Sequence, residues 1–158
     1  MSWWRQATPL GDLVVVTSES GVHGITFGSG PELESVDGPP ERDEQIAREL
    51  DEYFAGARRT FSVHADLSYV DSDHFGRRVL ETLTRDVPWG ETVTYGELAD
   101  MTGSPRAARA VGNVMAHNPV QILIPCHRVV AATGIGGYGR SGVALKRALL
   151  ELEGVRVR

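Results

Sequence analysis

Thr94-Tyr95-Gly96-Glu97-Leu98-Ala99-Asp100-Met101-Thr102-Gly103-Ser104-Pro105-Arg106-Ala107-Ala108-Arg109-Ala110 reads as two short helices joined by a tight turn. Thr94 and Glu97 fit a capping box, in which the Thr hydroxyl and the Glu carboxylate satisfy each other's otherwise unpaired backbone N–H groups. Gly103 ends the first helix. Ser104 then fits an N-cap with Pro105 at the first helical position, where a missing N–H costs nothing. The second helix is expected from Arg106 to about His117. This is the pattern of a helix-turn-helix. The small residues Ala107, Ala108, Ala110 and Gly112 keep the second helix slim, so that it can approach a DNA groove while Arg106 and Arg109 reach phosphates or bases. The alternative is a small-residue helix packed in a core, where two arginines would be awkward.

Upstream, Asp71-Ser72-Asp73 marks a helix start, and Phe75, Val79, Leu80 and Leu83 form the apolar stripe of a helix ending before Pro88. The first seventy residues have a different texture. Leu13 to Thr17 is a β-branched run, Ser20-Gly21 a turn, and Val22 to Phe27 a second strand. The stretch from Gly28 to Pro40 is rich in Gly and Pro and reads as a loop. Glu41 to Phe54 carries Ile46, Ala47, Leu50, Tyr53 and Phe54 on one helical face, and Phe61 to Ala65 alternates like an edge or third strand. The predicted fold is therefore an α/β N-terminal domain, a small antiparallel sheet plus a helix over residues 1–70. A mainly helical C-terminal domain with a helix-turn-helix follows over residues 71–158.

Composition is that of an ordinary globular chain, 41% apolar and 23% charged. No run approaches the roughly 18 apolar residues of a membrane-spanning helix, and the start lacks the basic and apolar regions of a signal peptide. The net charge of −5 argues against nucleic acid, but its distribution does not. Residues 1–100 hold 19 acids and 8 bases, whereas residues 101–150 hold no acid and six bases: Arg106, Arg109, Arg128, Arg140, Lys146 and Arg147. An acid-free basic stretch of this length is a footprint for a polyanion.

The single cysteine, Cys126, cannot form an internal disulfide or build a multi-cysteine zinc site, which predicts a reducing, cytoplasmic setting and no metal or other cofactor. It ends the apolar run Val120 to Ile124, after the helix-breaking pair Asn118-Pro119. A free cysteine is more often a buried hydrophobe than a reagent. Its neighbour His127 changes that balance, because an imidazole that takes the thiol proton produces the nucleophilic thiolate. A carboxylate orienting the imidazole would complete a Cys-His-acid relay. The first acids beyond the basic stretch are Glu151 and Glu153, on or just after a helix expected over 145–152.

Asn118-Pro119-Val120-Gln121-Ile122-Leu123-Ile124-Pro125-Cys126-His127-Arg128-Val129-Val130 resembles the active-site signature of the O6-alkylguanine-DNA alkyltransferases. The resemblance covers about residues 74–154, including Gly90-Glu91-Thr92, Tyr95 to Ala99, Ala107 to Gly112, Gly134, Gly136-Gly137-Tyr138, Lys146 and Leu149 to Gly154. It implies direct reversal of DNA alkylation, with Cys126 accepting the alkyl group from O6-alkylguanine in double-stranded DNA, and O4-alkylthymine as a second candidate. His127 would activate Cys126 through a water, Glu153 would orient His127, and Asn118 would brace the turn. Tyr95 would press on the flipped nucleotide and help protonate the leaving guanine, and Lys146 would support Tyr95. Arg109 would fill the gap left in the base stack, with Ser104, Arg106, Ala107, Ala108 and Arg128 also meeting DNA. Met115, Val129, Tyr138 and Ser141 would line the base pocket, and the carbonyls of Cys126 and Val129 would accept from the guanine amino group.

Each molecule would react once, since a thioether has no easy leaving group. The protein is expected to be a monomer in solution, with the coating of DNA by several copies left open. Two positions depart from the family pattern: Val79-Leu80 stands where Val-Trp is common, and the loop Gly139-Arg140-Ser141-Gly142 is longer than usual. Three rivals remain at this point. They are a relative that only flags lesions, a helix-turn-helix regulator with a structural cysteine, and a Cys-His hydrolase.

Overall fold

A computed structural model describes residues 1–28, 38–71 and 74–157. The chain divides into two compact units, residues 1–67 with 119–123, and residues 68–118 with 124–158. The first is an α/β unit and the second is mainly helical.

In the first unit, strands β1 (Ser2–Gln6), β2 (Leu13–Ser18) and β3 (Gly21–Phe27) form an antiparallel sheet in that order, with Trp4 opposite Val15 and Val15 opposite Ile25. Strand β1 escaped the sequence reading, since a five-residue stretch with two tryptophans carries little alternation. Helix α1 (Glu44–Phe54) begins three residues later than expected, because the Asp43 side chain accepts from the Ile46 N–H and sets the N-cap. Its Ile46, Ala47, Leu50, Tyr53 and Phe54 are buried, as the stripe predicted. Full burial of one such aliphatic side chain contributes about 1.5–3 kcal/mol.

The third strand expected over Phe61 to Ala65 does not form. Buried Glu49 captures the Ser62 N–H at 2.8 Å, and what remains is one parallel bridge between Ala65 and Val22. Instead the unit recruits residues 119–123. The Ile25 N–H donates to the Pro119 carbonyl and the Gln121 N–H to the Ile25 carbonyl, both at 3.0 Å. Within this segment buried Ile122 has φ 75°, the left-handed region that β-branched residues avoid. Most of the expected loop after Gly28, residues 29–37, lies outside the described residues, as do Ser72 and Asp73 of the expected helix start.

In the second unit, helix α2 (Phe75–Asp86) is capped by His74, whose ring accepts from the Gly76 N–H. A two-residue strand β4 (Val93–Thr94) pairs in parallel with β5 (Val129–Val130) and leads directly into α3 (Tyr95–Met101). The capping box on α3 is complete, with both Thr94 and Glu97 bonds at 3.1 Å. Helix α4 (Ala108–Ala116) starts later than Ser104-Pro105 implied and has no side-chain cap. Ser104 instead closes a turn, its carbonyl accepting from the Ala107 N–H at 3.0 Å. Helices α3 and α4 pack together, and both pack on α2. The last helix, α5 (Val143–Leu152), buries Lys146, Leu149 and Leu150. No described helix is long and apolar enough to cross a membrane.

Candidate active site

After Pro125 the chain makes a single 3₁₀ turn, Cys126–Arg128, closed by the Arg128 N–H donating to the Pro125 carbonyl at 2.9 Å. The Asn118 amide fastens its approach by donating to the Ile124 carbonyl at 2.8 Å. All three side chains of the turn are buried. The turn separates their destinations. Cys126 lines a cavity, whereas His127 and Arg128 both reach Glu153, which caps the C-terminus of α5.

The Glu153 carboxylate is held on both oxygens. His127 Nε2 lies 2.7 Å from Oε2, while Arg128 Nε donates to Oε1 at 2.8 Å and Nη2 to Oε2 at 3.1 Å. The remaining Arg128 Nη1 donates to the Val87 carbonyl at 2.9 Å. Burial alone would raise the Glu153 pKa, but the bonds from His127 and Arg128 outweigh it and hold the group well below the usual carboxylate range. For His127 burial wins, lowering its pKa despite Glu153, so the ring is neutral at pH 7. A neutral ring must donate from Nε2 to the carboxylate, which leaves Nδ1 as an acceptor. Nδ1 is buried and has no hydrogen-bond partner among the described residues.

The cavity beside Cys126 has a volume of about 80 Å³ and is walled by Tyr95, Gly112, Met115, Ala116, Gly137, Tyr138 and Gly139. Burial pushes the Cys126 thiol pKa up, and Asn118, Tyr138 and the charge of Lys146 offset this only in part. The resting group is therefore a thiol, and the thiolate forms only once its proton is taken. Lys146 is fully buried, donates to the carbonyls of Val129 at 2.6 Å and Gly137 at 2.8 Å, and stands 5.7 Å from the centre of the Tyr95 ring. Burial lowers its pKa to about 8. Burial raises the Tyr95 pKa, so the phenol keeps its proton. Two glycines set the walls. A Cβ on Gly136 (φ 75°) would lie 2.8 Å from the Tyr95 hydroxyl, and one on Gly139 (φ 51°) would lie 3.1 Å from the Ala116 carbonyl.

The structure thus brings Cys126, Tyr95, Met115 and Tyr138 to the wall of one cavity, with Asn118 bonded to the chain just before Cys126 and Lys146 bonded to the carbonyl of the wall residue Gly137, and it joins His127 to Glu153. Three of the expected residues sit away from the cavity wall. Arg128 does not face solvent, since three of its nitrogens are committed to Glu153 and Val87. The Val129 side chain is buried in β5 and outside the cavity wall, and its carbonyl is already engaged by Lys146. Ser141 sits half-buried in the 3₁₀ turn Gly139–Ser141, also outside the wall. Arg106 and Arg109 are exposed, while Ser104, Ala107 and Ala108 are half-buried. Sequence reasoning missed Gly112, Ala116, Gly137 and Gly139 as wall residues. The i, i+4 spacing of Gly112 and Ala116 around Met115 was the available signal, since those positions share a helix face.

Residues 74–155 match the family description "6-O-methylguanine DNA methyltransferase, DNA binding domain", and residues 6–67 match "6-O-methylguanine DNA methyltransferase, ribonuclease-like domain". The chain is 51% identical over 106 residues to a methylated-DNA–protein-cysteine methyltransferase of Mycobacterium bovis, an alignment covering 66% of this chain and 61% of that protein. It is 40% identical over 171 residues to the protein of that name from Cricetulus griseus, covering 96% of this chain and 81% of the other. The crystal structure of Mycobacterium tuberculosis OGT in complex with DNA matches with a TM-score of 0.86 and 38% identity, over 97% of this chain and 92% of that one.

Proposed function

We infer what the chain does from one premise: it belongs to the 6-O-methylguanine DNA methyltransferase family. The protein repairs alkylated DNA directly, moving the alkyl group of O6-alkylguanine in a duplex onto Cys126. The observation that carries this is a lone buried thiol facing a small cavity, in the same turn as a histidine whose far nitrogen is fixed by a buried carboxylate.

The alkyl carbon lies inside the duplex, so the base must be extruded at a cost of a few kcal/mol. Arg109, exposed on α4, enters the stack and offsets part of that cost. In this reading α3 and α4 act as a helix-turn-helix, with Ser104, Arg106, Ala107 and Ala108 beside the backbone. The extruded guanine stacks between Met115 and Tyr138 and brings its alkyl carbon in line with Cys126 Sγ. Sulfur forms the new bond to carbon as the bond from carbon to O6 breaks. The thiol proton passes to His127 Nδ1, by way of a water, and the Tyr95 hydroxyl protonates the leaving guanine. Because thiol and imidazole are both neutral at rest, charge separates only as the reaction proceeds, where the Glu153 carboxylate and the Lys146 ammonium lower its cost. Arg128 acts by holding Glu153 rather than by touching DNA. No cofactor takes part, the protein works as a monomer, and a free thiol suits a reducing cytoplasm.

The test is transfer of label from a duplex bearing one O6-methylguanine with an isotopic methyl group. The label is expected in the peptide containing Cys126, and transfer should vanish in Cys126→Ser. Transfer retained by that variant would contradict the assignment. A regulator would bind the duplex without taking up label, and a hydrolase would turn over an acyl substrate.

A further inference from the structure

The loop from Gly139 to Gly142 is the part of the cavity rim that the reaction above does not use. It is a built turn: the N–H groups of Ser141 and Gly142 both donate to the Tyr138 carbonyl, at 3.1 and 3.2 Å. Tyr138 and Gly139 line the cavity, and Gly139 is packed so closely on α4 that a Cβ there would crowd the Ala116 carbonyl. The next residue, Arg140, is exposed, and among the described residues its guanidinium has no hydrogen-bond or ion-pair partner. Arg109 is likewise exposed and unpaired among those residues, one turn before the wall residue Gly112 on α4. Two unpaired arginines are therefore carried on elements that each supply part of the wall of one cavity. The fifty residues around them contain no acid to neutralise either.

Resting on the DNA-repair reading, we propose that Arg140 binds the phosphate of the nucleotide whose base enters the cavity. A base held in the cavity leaves its sugar and phosphate at the rim. A guanidinium on a rigid turn offers that phosphate a charge-assisted, bidentate bond. Arg109 and Arg140 then divide the work. Arg109 matters only where a stack must be refilled, whereas Arg140 follows the nucleotide itself and serves single strands as well.

The experiment uses the full chain and compares the parent with Arg140→Ala and Arg140→Lys. Single-turnover transfer is measured from a short single-stranded oligonucleotide carrying O6-methylguanine, and from the uncharged free base O6-benzylguanine. Arg140→Ala should slow the oligonucleotide reaction roughly three- to tenfold more than the free-base reaction. It should also lower the salt slope of oligonucleotide binding by ~0.7, the value for one phosphate on a single strand. Arg140→Lys, which keeps the charge, should restore most of the slope. An unchanged slope in Arg140→Ala, or equal losses on both substrates, would overturn the role. Failure of the parent protein to accept an alkyl group from either substrate would instead overturn the repair reading beneath it.

Discussion

Glu153 shows how far a residue's role can lie from its neighbours in sequence. His127 adjoins Cys126, and that adjacency is what the sequence displays. The partner that fixes the imidazole is 26 residues away, and Arg128 is turned inward to hold the same carboxylate. Sequence order records residue types but not the direction each side chain takes in a 3₁₀ turn. Arg128 therefore read as one more surface cation. The linkage has a definite sign. The folded pKa of Glu153 is depressed, so the group stabilises the fold above the ordinary glutamate pKa of about 4.3, and that contribution is lost as pH falls below it. Glu153→Gln should cost about 3–5 kcal/mol at pH 7, the range for breaking a buried pair. The gap to the parent should narrow as pH drops from about 5 toward 3. Unfolding midpoints across that range check this, and a gap independent of pH would show that the carboxylate charge contributes nothing.

Helix α4 and its surroundings divide cleanly into what local chemistry shows and what it does not. The capping box at Thr94 and Glu97 was legible because both bonds lie within four residues, and so was the buried face of α1. The start of α4 was not, since Ser104 closes a turn rather than capping the helix. Phe61 to Ala65 alternates like a strand, yet the Ser62 backbone goes to Glu49, a tertiary contact that no pattern announces. Strands β4 and β5, two residues each, are too short to leave a period. For α4 the exposed Arg109 makes a prediction. Arg109→Ala should slow repair in a duplex at least several-fold more than repair in a single strand, because only the duplex has a stack to refill. Single-turnover rates on the two substrates decide it, and equal losses would assign Arg109 to general phosphate attraction.

In the molecule as a whole, two units with different charge and texture share one chain. The first holds the excess of acids, and the acid-free stretch falls almost entirely within the second. That asymmetry, together with a single cysteine, is what in the sequence points to a polyanion partner and a one-thiol reaction. Residues 119–123 were legible as an apolar run, but their place in the first unit was not, because their ladder partner, Ile25, lies nearly a hundred positions away. A single thiol also limits the reaction, since a thioether formed at Cys126 has no second cysteine to remove it. Intact-mass titration against a duplex carrying one O6-methylguanine tests this limit. The protein should gain one methyl group, on Cys126, with repair stopping at one equivalent of lesion. Continued repair by protein that stays unmodified, or a methyl group on any other residue, would contradict it.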